Sequence, residues 1–319
     1  MRTSRLVGWL AWAAIAFAAC SSWAQEFPSR PITLVAPFPP GTVTDNVTRP
    51  LAQALQEILG QPVIVDNRAG AQGVIGATFV ARSKPDGYTL LVASSTMFVG
   101  TSLYKNVPYD PLGFQPVANI GSTSMMLMVK DSSPVKSLAD FIDAAKSQRE
   151  PPTVAFGSPS AQMVMTMFSN AAGVKLTPIS YRGTPQALID LAGGQVDAAV
   201  VDIGNGVAQI HSGRLRALAI SANARSSAAP NVPTLAETFP GVAMETIIAV
   251  VAPAGTPPVV VERLDRAIRS ALARSEIKAR YAALTTEVKP LSSAELARLL
   301  KTDVPKWEAL IKGAGIEPQ

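Results

Sequence analysis

Short runs rich in Val, Ile and Leu alternate with segments of helical period along most of the chain, and no other feature constrains the fold as tightly. The runs fall at residues 32–36, 63–66, 88–93, 126–130, 153–156, 176–180, 198–201 and 215–221. Helical spacing fills 46–59, 74–82, 138–147, 163–171 and 185–191. Strand, helix, strand in repetition is the pattern of parallel-rich sheets flanked by helices, so the fold class is α/β. After residue 249 the pattern changes. Residues 257–274 and 292–311 read as two long helices separated by a short strand near Glu287, following a strand-like run at 247–252.

A chain of 319 residues is long enough for two domains. The late run at 247–252 suggests that the chain returns to its starting lobe. Residues 25–121 plus 249–319 then form lobe 1, and 122–248 form lobe 2, with a hinge near Gly121 and Ile248. A single larger α/β domain is the alternative reading.

The first 24 residues read as an address. Arg2 and Arg5 precede an apolar stretch at 6–19 that is too short to span a bilayer, and Ser22-Trp23-Ala24 supplies a cleavage site before Gln25. Export to the periplasm is expected. Phe17-Ala18-Ala19-Cys20 reads alternatively as a lipidation signal, although Phe17 fits poorly where a branched aliphatic residue is preferred. Cys20 is the only cysteine, so cleavage after Ala24 removes both disulfides and thiolate chemistry from the mature chain.

The function classes narrow further. A formal net charge of +5, with two of the cations in the leader, is too mild and too scattered for nucleic acid. His211 is the only histidine and reads as the polar end of a short helix, so no metal centre is expected. No serine stands in a G-x-S-x-G elbow. The methionines at 125, 126, 128, 163, 165 and 167 read as core of lobe 2. No cofactor is called for.

Ligands in open parallel sheets sit beyond the carboxyl ends of the strands. After the first strand comes Pro37-Phe38-Pro39-Pro40-Gly41-Thr42-Val43-Thr44-Asp45, in which prolines stiffen the turn, Gly41 permits close backbone approach and Thr44 or Asp45 is placed to cap a helix. After the second comes a loop with glycines at 70, 73 and 76, carrying Gln72 and Val74; its spacing fails the dinucleotide pattern. Both loops put unpaired N–H groups at a helix start, which suits an anion. Ser94-Ser95-Thr96 follows the third strand.

The segments "PSRPITLVAPFPPGTVTD", "LGQPVIVDNRAGAQGVIGA", "KPDGYTLLVASS", "YRGTPQALIDLAGGQVDAA", "GRLRALAISANARSSAAPNVPTLAE" and "APAGTPPVVVERL" together resemble the Bug-type periplasmic solute receptors of tripartite tricarboxylate transporters. The resemblance spans the mature chain and implies a bilobal periplasmic-binding-protein (Venus-flytrap) fold that closes on a small organic carboxylate. It implies that one carboxylate is held by amides, hydroxyls and waters of the first two loops. A transient membrane partner, transporter or sensor, and a monomeric receptor without enzymatic activity are expected.

On this reading the ligand-binding residues are Phe38, Pro39, Gly41, Thr42, Thr44, Asp45, Gly70, Gln72, Gly73, Val74 and Ser94 in lobe 1. In lobe 2 they are Ser158, Ser160, Gln162, Tyr181 and Asp202. Thr42 and Val74 replace the family's usual glycine and asparagine, and the loop at 157–162 is short. With Met97, Phe98 and Met163 nearby, these changes point to a ligand with an apolar body, an aromatic acid or an aliphatic dicarboxylate. The competing class is a secreted enzyme using Asp202 with a partner such as Asp197, but no acid/base pair is evident from spacing.

Overall fold

The computed structural model describes residues 27–313 and Pro318, so the segment read as an export leader, with its expected cleavage site, lies outside the described residues. The elements run β1 (Ile32–Ala36), α1 (Val43–Leu59), β2 (Val63–Asn67), α2 (Val74–Ala81), β3 (Thr89–Ser94), α3 (Gly100–Leu103), β4 (Gln115–Lys130), α4 (Leu138–Ser147) and β5 (Thr153–Phe156). They continue with α5 (Pro159–Ala172), β6 (Thr177–Ser180), α6 (Thr184–Gly193), β7 (Ala198–Asp202), α7 (Ile203–His211), β8 (Leu215–Ile220) and α8 (Leu235–Thr238). The chain ends through β9 (Glu245–Ala252), α9 (Pro258–Ala273), α10 (Ser275–Ala283), β10 (Glu287–Leu291) and α11 (Ser293–Gly313).

Two sheets share one strand. β2, β1 and β3 are parallel, and β9 runs antiparallel to β3. β6, β5 and β7 form a second parallel trio. β4 joins them: Gln115 to Ser124 pairs with β9, and Met125 to Val129 pairs with β7. The change of partner falls at Ser124/Met125. Beside it, the Ser221 hydroxyl accepts from Met125 N at 2.9 Å and donates to Met244 O at 2.7 Å, tying the second crossing to the first.

The sequence expectation for β4 covered only its second half. Residues 115–124 carry Pro116, Asn119 and Gly121, which have weak strand propensity. They are extended because β9 pairs along one side and β10 along the other. Gly121 makes that possible: a Cβ there would sit 2.2 Å from Glu287 O. The helix α10 and the 3₁₀ turn at Ser95–Val99 also go beyond the segments marked in the sequence, and α7 is the short helix read there as ending at His211.

The return of the C-terminal third into the first sheet follows from its apolar stripe. Leu264, Ile268 and Leu272 of α9 bury against Val47, Leu51 and Leu55 of α1 and the strands beneath. Tyr281 is fully buried and its hydroxyl donates to Val47 O at 2.7 Å; burial pushes its phenol well above the usual range. In the other half, Met126, Met128, Val201, Leu188 and Leu191 form a separate core.

Candidate functional site

The β1–α1 loop is fixed by a buried carboxylate. Asp45, 2% exposed, accepts from Gly41 N at 3.0 Å, from Arg49 Nε and Nη2 at 3.1 and 2.7 Å, and from Asn67 Nδ2 at 2.9 Å. Burial alone would raise its pKa, but the hydrogen bonds from Arg49, Gly41 and Asn67 outweigh it and hold the carboxyl below its usual range. The same Asn67 amide donates to Phe38 O at 3.1 Å, so β2 clamps the loop from the other side. Asp45 is therefore a strut in the third helical position rather than the cap expected from the sequence, because α1 begins earlier, at Val43.

The cap position belongs to Thr42, whose side chain makes no cap bond. Its hydroxyl donates instead to Pro39 O at 2.8 Å and contacts the Thr44 hydroxyl at 3.3 Å. The first-turn N–H groups of α1 have no carbonyl to reach within the helix, so the loop leaves donors available to an anion.

The β2–α2 loop reaches the same end by a different route. Gly70, Ala71, Gln72 and Gly73 all have positive φ (136°, 45°, 52° and 96°). Two of these are L residues in the left-handed region, which costs roughly 1–3 kcal/mol each. Gly73 caps α2 without a side-chain bond and lies close to Phe38 and Met97, where an added Cβ would stand 3.3 Å from Phe38 Cζ and 3.1 Å from Met97 Cε. The third loop packs behind them: the Ser94 and Thr96 hydroxyls meet at 2.9 Å, and Met97 and Phe98 are buried.

The second-lobe helices answer differently. Ser158 caps α5 by accepting from Ala161 N at 3.2 Å, and Asp202 caps α7 by accepting from Asn205 N at 3.0 Å and from its amide. Ser160 and Gln162 are buried on α5. The Tyr181 hydroxyl donates to Asp190 Oδ2 at 2.7 Å, a bond that pushes its phenol up to about 12.

The two halves touch across a cleft. Gln72 Nε2 donates to Ser180 Oγ at 3.0 Å, and Asn205 Nδ2 to Gly41 O at 3.4 Å. At the mouth is a cavity of about 810 Å³. Of the residues expected to bind ligand, Phe38, Pro39, Gly70, Gln72, Gly73 and Tyr181 line it. Gly41 and Thr42 stand at the seam against Pro185 and Gly183. Thr44, Asp45, Ser94, Ser160, Gln162 and Asp202 are buried, Val74 and Ser158 partly so, and none of them lines this cavity. Sequence reasoning left Arg182, Pro185 and Gln186 out of its site; they belong to the loop and first turn after β6, where ligands of open sheets are expected. Arg182 is the single charged residue in the wall.

Two lobes joined by a shared strand, with facing loops at the carboxyl ends of parallel strands, define the bilobal periplasmic-binding-protein fold. The family model described as "Tripartite tricarboxylate transporter family receptor" matches residues 47–316, and the chain belongs to that family. It is similar to Protein BugT of Bordetella pertussis, with 36% identity over 92% of this chain and 91% of that one. Among solved structures it resembles MatC from Rhodopseudomonas palustris with bound malate: 31% identity, TM-score 0.84, covering 89% of this chain and all of that one. It also resembles R. palustris Rpa4515 with adipate: 30% identity, TM-score 0.88, covering 92% of this chain and all of that one. No helix among the described residues is long and apolar enough to cross a membrane.

Proposed function

We propose that this chain is a periplasmic, non-enzymatic receptor that closes its lobes on a small carboxylate with an apolar body and passes it to a tripartite tricarboxylate-type transporter or a sensor. The ligand is an aromatic acid or an aliphatic dicarboxylate. The observation that carries this reading is the pair of helix starts, α1 and α2, left without side-chain caps beside a cavity whose only charged wall residue is Arg182. Each such terminus contributes roughly 0.3–1 kcal/mol to a nearby anion, and up to about 2 when partly buried. Charge-assisted hydrogen bonds add about 1.5–3 kcal/mol each. Because the Asp45 strut shapes the loop in advance, less ordering cost falls on binding.

Relatives of this fold hold malate in one case and adipate in another. Here Phe38, Pro39, Pro40 and Pro185 in the cavity wall favour the less hydroxylated diacid, since a buried polar group without a partner costs roughly 1–3 kcal/mol. Closure turns on a hinge near Gly121 and Ile248, between a lobe of residues 25–121 plus 249–319 and a lobe of 122–248; the exchange of β4 partners at Ser124/Met125 supports it. The receptor acts as a monomer.

Calorimetry with citrate, glutamate, adipate and benzoate tests the reading. Adipate or benzoate binds best. Tightest binding of citrate or glutamate overturns the apolar assignment, and unchanged affinity after amidating every carboxylate of the ligand overturns the anion clamp.

A further inference from the structure

The residues on either side of Arg182 are held across the cleft. Gln72 Nε2 donates to Ser180 Oγ at 3.0 Å and lies 3.5 Å from Tyr181 O. Gly183 packs so closely on the first loop that an added Cβ would stand 3.2 Å from Thr42 Cγ2 and 3.4 Å from Pro39 Cγ. Lobe 1 therefore grips the backbone before and after residue 182. The Arg182 side chain itself is exposed, lines the cleft-mouth cavity, and has no ion pair, hydrogen bond or ring contact among the described residues.

The other guanidinium groups beside these loops are spent. Arg49 is bidentate on Asp45 and donates to Asn67 Oδ1, and Arg68 pairs with Asp66 at 2.6 Å while lying over the Phe79 ring. Among the described residues no carboxylate lines the cavity, so nothing in its wall competes for the Arg182 cation. The glycine loop at 70–73 and Arg182 belong to opposite lobes and face one space, whose wall also includes the apolar Phe38, Pro39, Pro40 and Pro185.

The geometry points to Arg182 as a specificity-determining residue for dianions. The inference rests on the carboxylate-receptor reading above: the ligand's first carboxylate lies at the uncapped starts of α1 and α2, and its second meets Arg182 at the rim. The ligand class is then the aliphatic dicarboxylate rather than the aromatic monocarboxylate, with its methylenes along the apolar wall. Its two ends are bound by different lobes. A dicarboxylate thus favours the closed arrangement over the open one by a contact that a monocarboxylate lacks. A guanidinium suits this task because its planar fork meets a carboxylate with two parallel N–H bonds. Exposure holds the effect to the range of a solvent-screened ion pair, about two- to fivefold in affinity.

Adipate and hexanoate share one carbon chain and differ by a carboxylate, so the ratio of their affinities isolates the second charge. Calorimetry at neutral pH and low ionic strength measures that ratio, with benzoate alongside, for wild type, Arg182→Gln and Arg182→Lys. Adipate is expected to bind more tightly than hexanoate or benzoate to wild type. Arg182→Gln lowers the adipate-to-hexanoate ratio about two- to fivefold, and Arg182→Lys, which keeps the charge, returns most of it. Added salt compresses the ratio more in wild type than in Arg182→Gln. An unchanged ratio, equal losses for adipate and hexanoate in Arg182→Gln, or tighter binding of benzoate than adipate overturns the assignment of Arg182 and leaves the receptor reading standing. Binding of none of the three acids to wild type overturns both.

Discussion

Replacing Asp45 tests the link between loop architecture and binding most directly. In Asp45→Ala, Gly41 N–H, the Asn67 amide and the Arg49 guanidinium all lose their shared acceptor. Leaving a buried donor unpaired costs about 1–3 kcal/mol; part-buried Gly41 N is left so, whereas Asn67 Nδ2 keeps its bond to Phe38 O. The Arg49 side chain is 52% exposed, so solvent takes up its loss and the ion pair itself adds no more than about 1 kcal/mol. The expected destabilisation is therefore about 1–4 kcal/mol for Ala, and less for Asn, which keeps the shape and one acceptor. Affinity for the cleft ligand falls with it, because the loop must then be ordered during binding. The pH dependence has a definite sign. The folded-state pKa of Asp45 is depressed, so its stabilisation is present above the unfolded carboxyl value near 3.8 and is lost as pH falls through and below that value. Urea denaturation across pH 3 to 7, with calorimetry at neutral pH, measures both effects. Wild type loses stability on acidification more steeply than Asp45→Asn; equal acid limbs, with unchanged affinity in Asp45→Ala, refute the strut.

Three further outcomes follow from the geometry. Gln72→Ala removes the Ser180 bond across the cleft and speeds ligand release by roughly two- to tenfold, read by stopped-flow dissociation, while Gln72→Gly relieves the left-handed backbone as well and raises the thermal midpoint relative to Ala. Thr285→Gly relaxes the φ 51° turn and stabilises the protein by about 1 kcal/mol in chemical denaturation, an unusual gain for a change to glycine. Gly121→Ala drives a methyl into Glu287 O, separating β10 from β4 at a cost of about 1–3 kcal/mol, visible as faster amide exchange along Glu287–Leu291.

Much of the fold was legible in local chemistry. β1 and β5 coincide with the short apolar runs read at 32–36 and 153–156, and α4 with its apolar spacing behind a Ser137 capping box. Such elements are decided within a few residues, by propensity, periodicity and caps. The glycines and prolines of the first two loops likewise announced backbones that only those residues hold at low cost, and the resemblance to solute receptors rested on their order along the chain. The first half of β4 was not legible, because Pro116, Asn119 and Gly121 argue against a strand until β9 and β10 supply partners from more than a hundred residues away. Asp45 reads locally as a cap with Arg49 one turn on, and only the approach of Asn67 from β2 makes it a strut. Arg182 and Gln186 join Phe38 and Gln72 in one wall because two lobes meet there. The division has one physical cause. A backbone preference is a property of neighbours along the chain, whereas a binding wall is a property of neighbours in space.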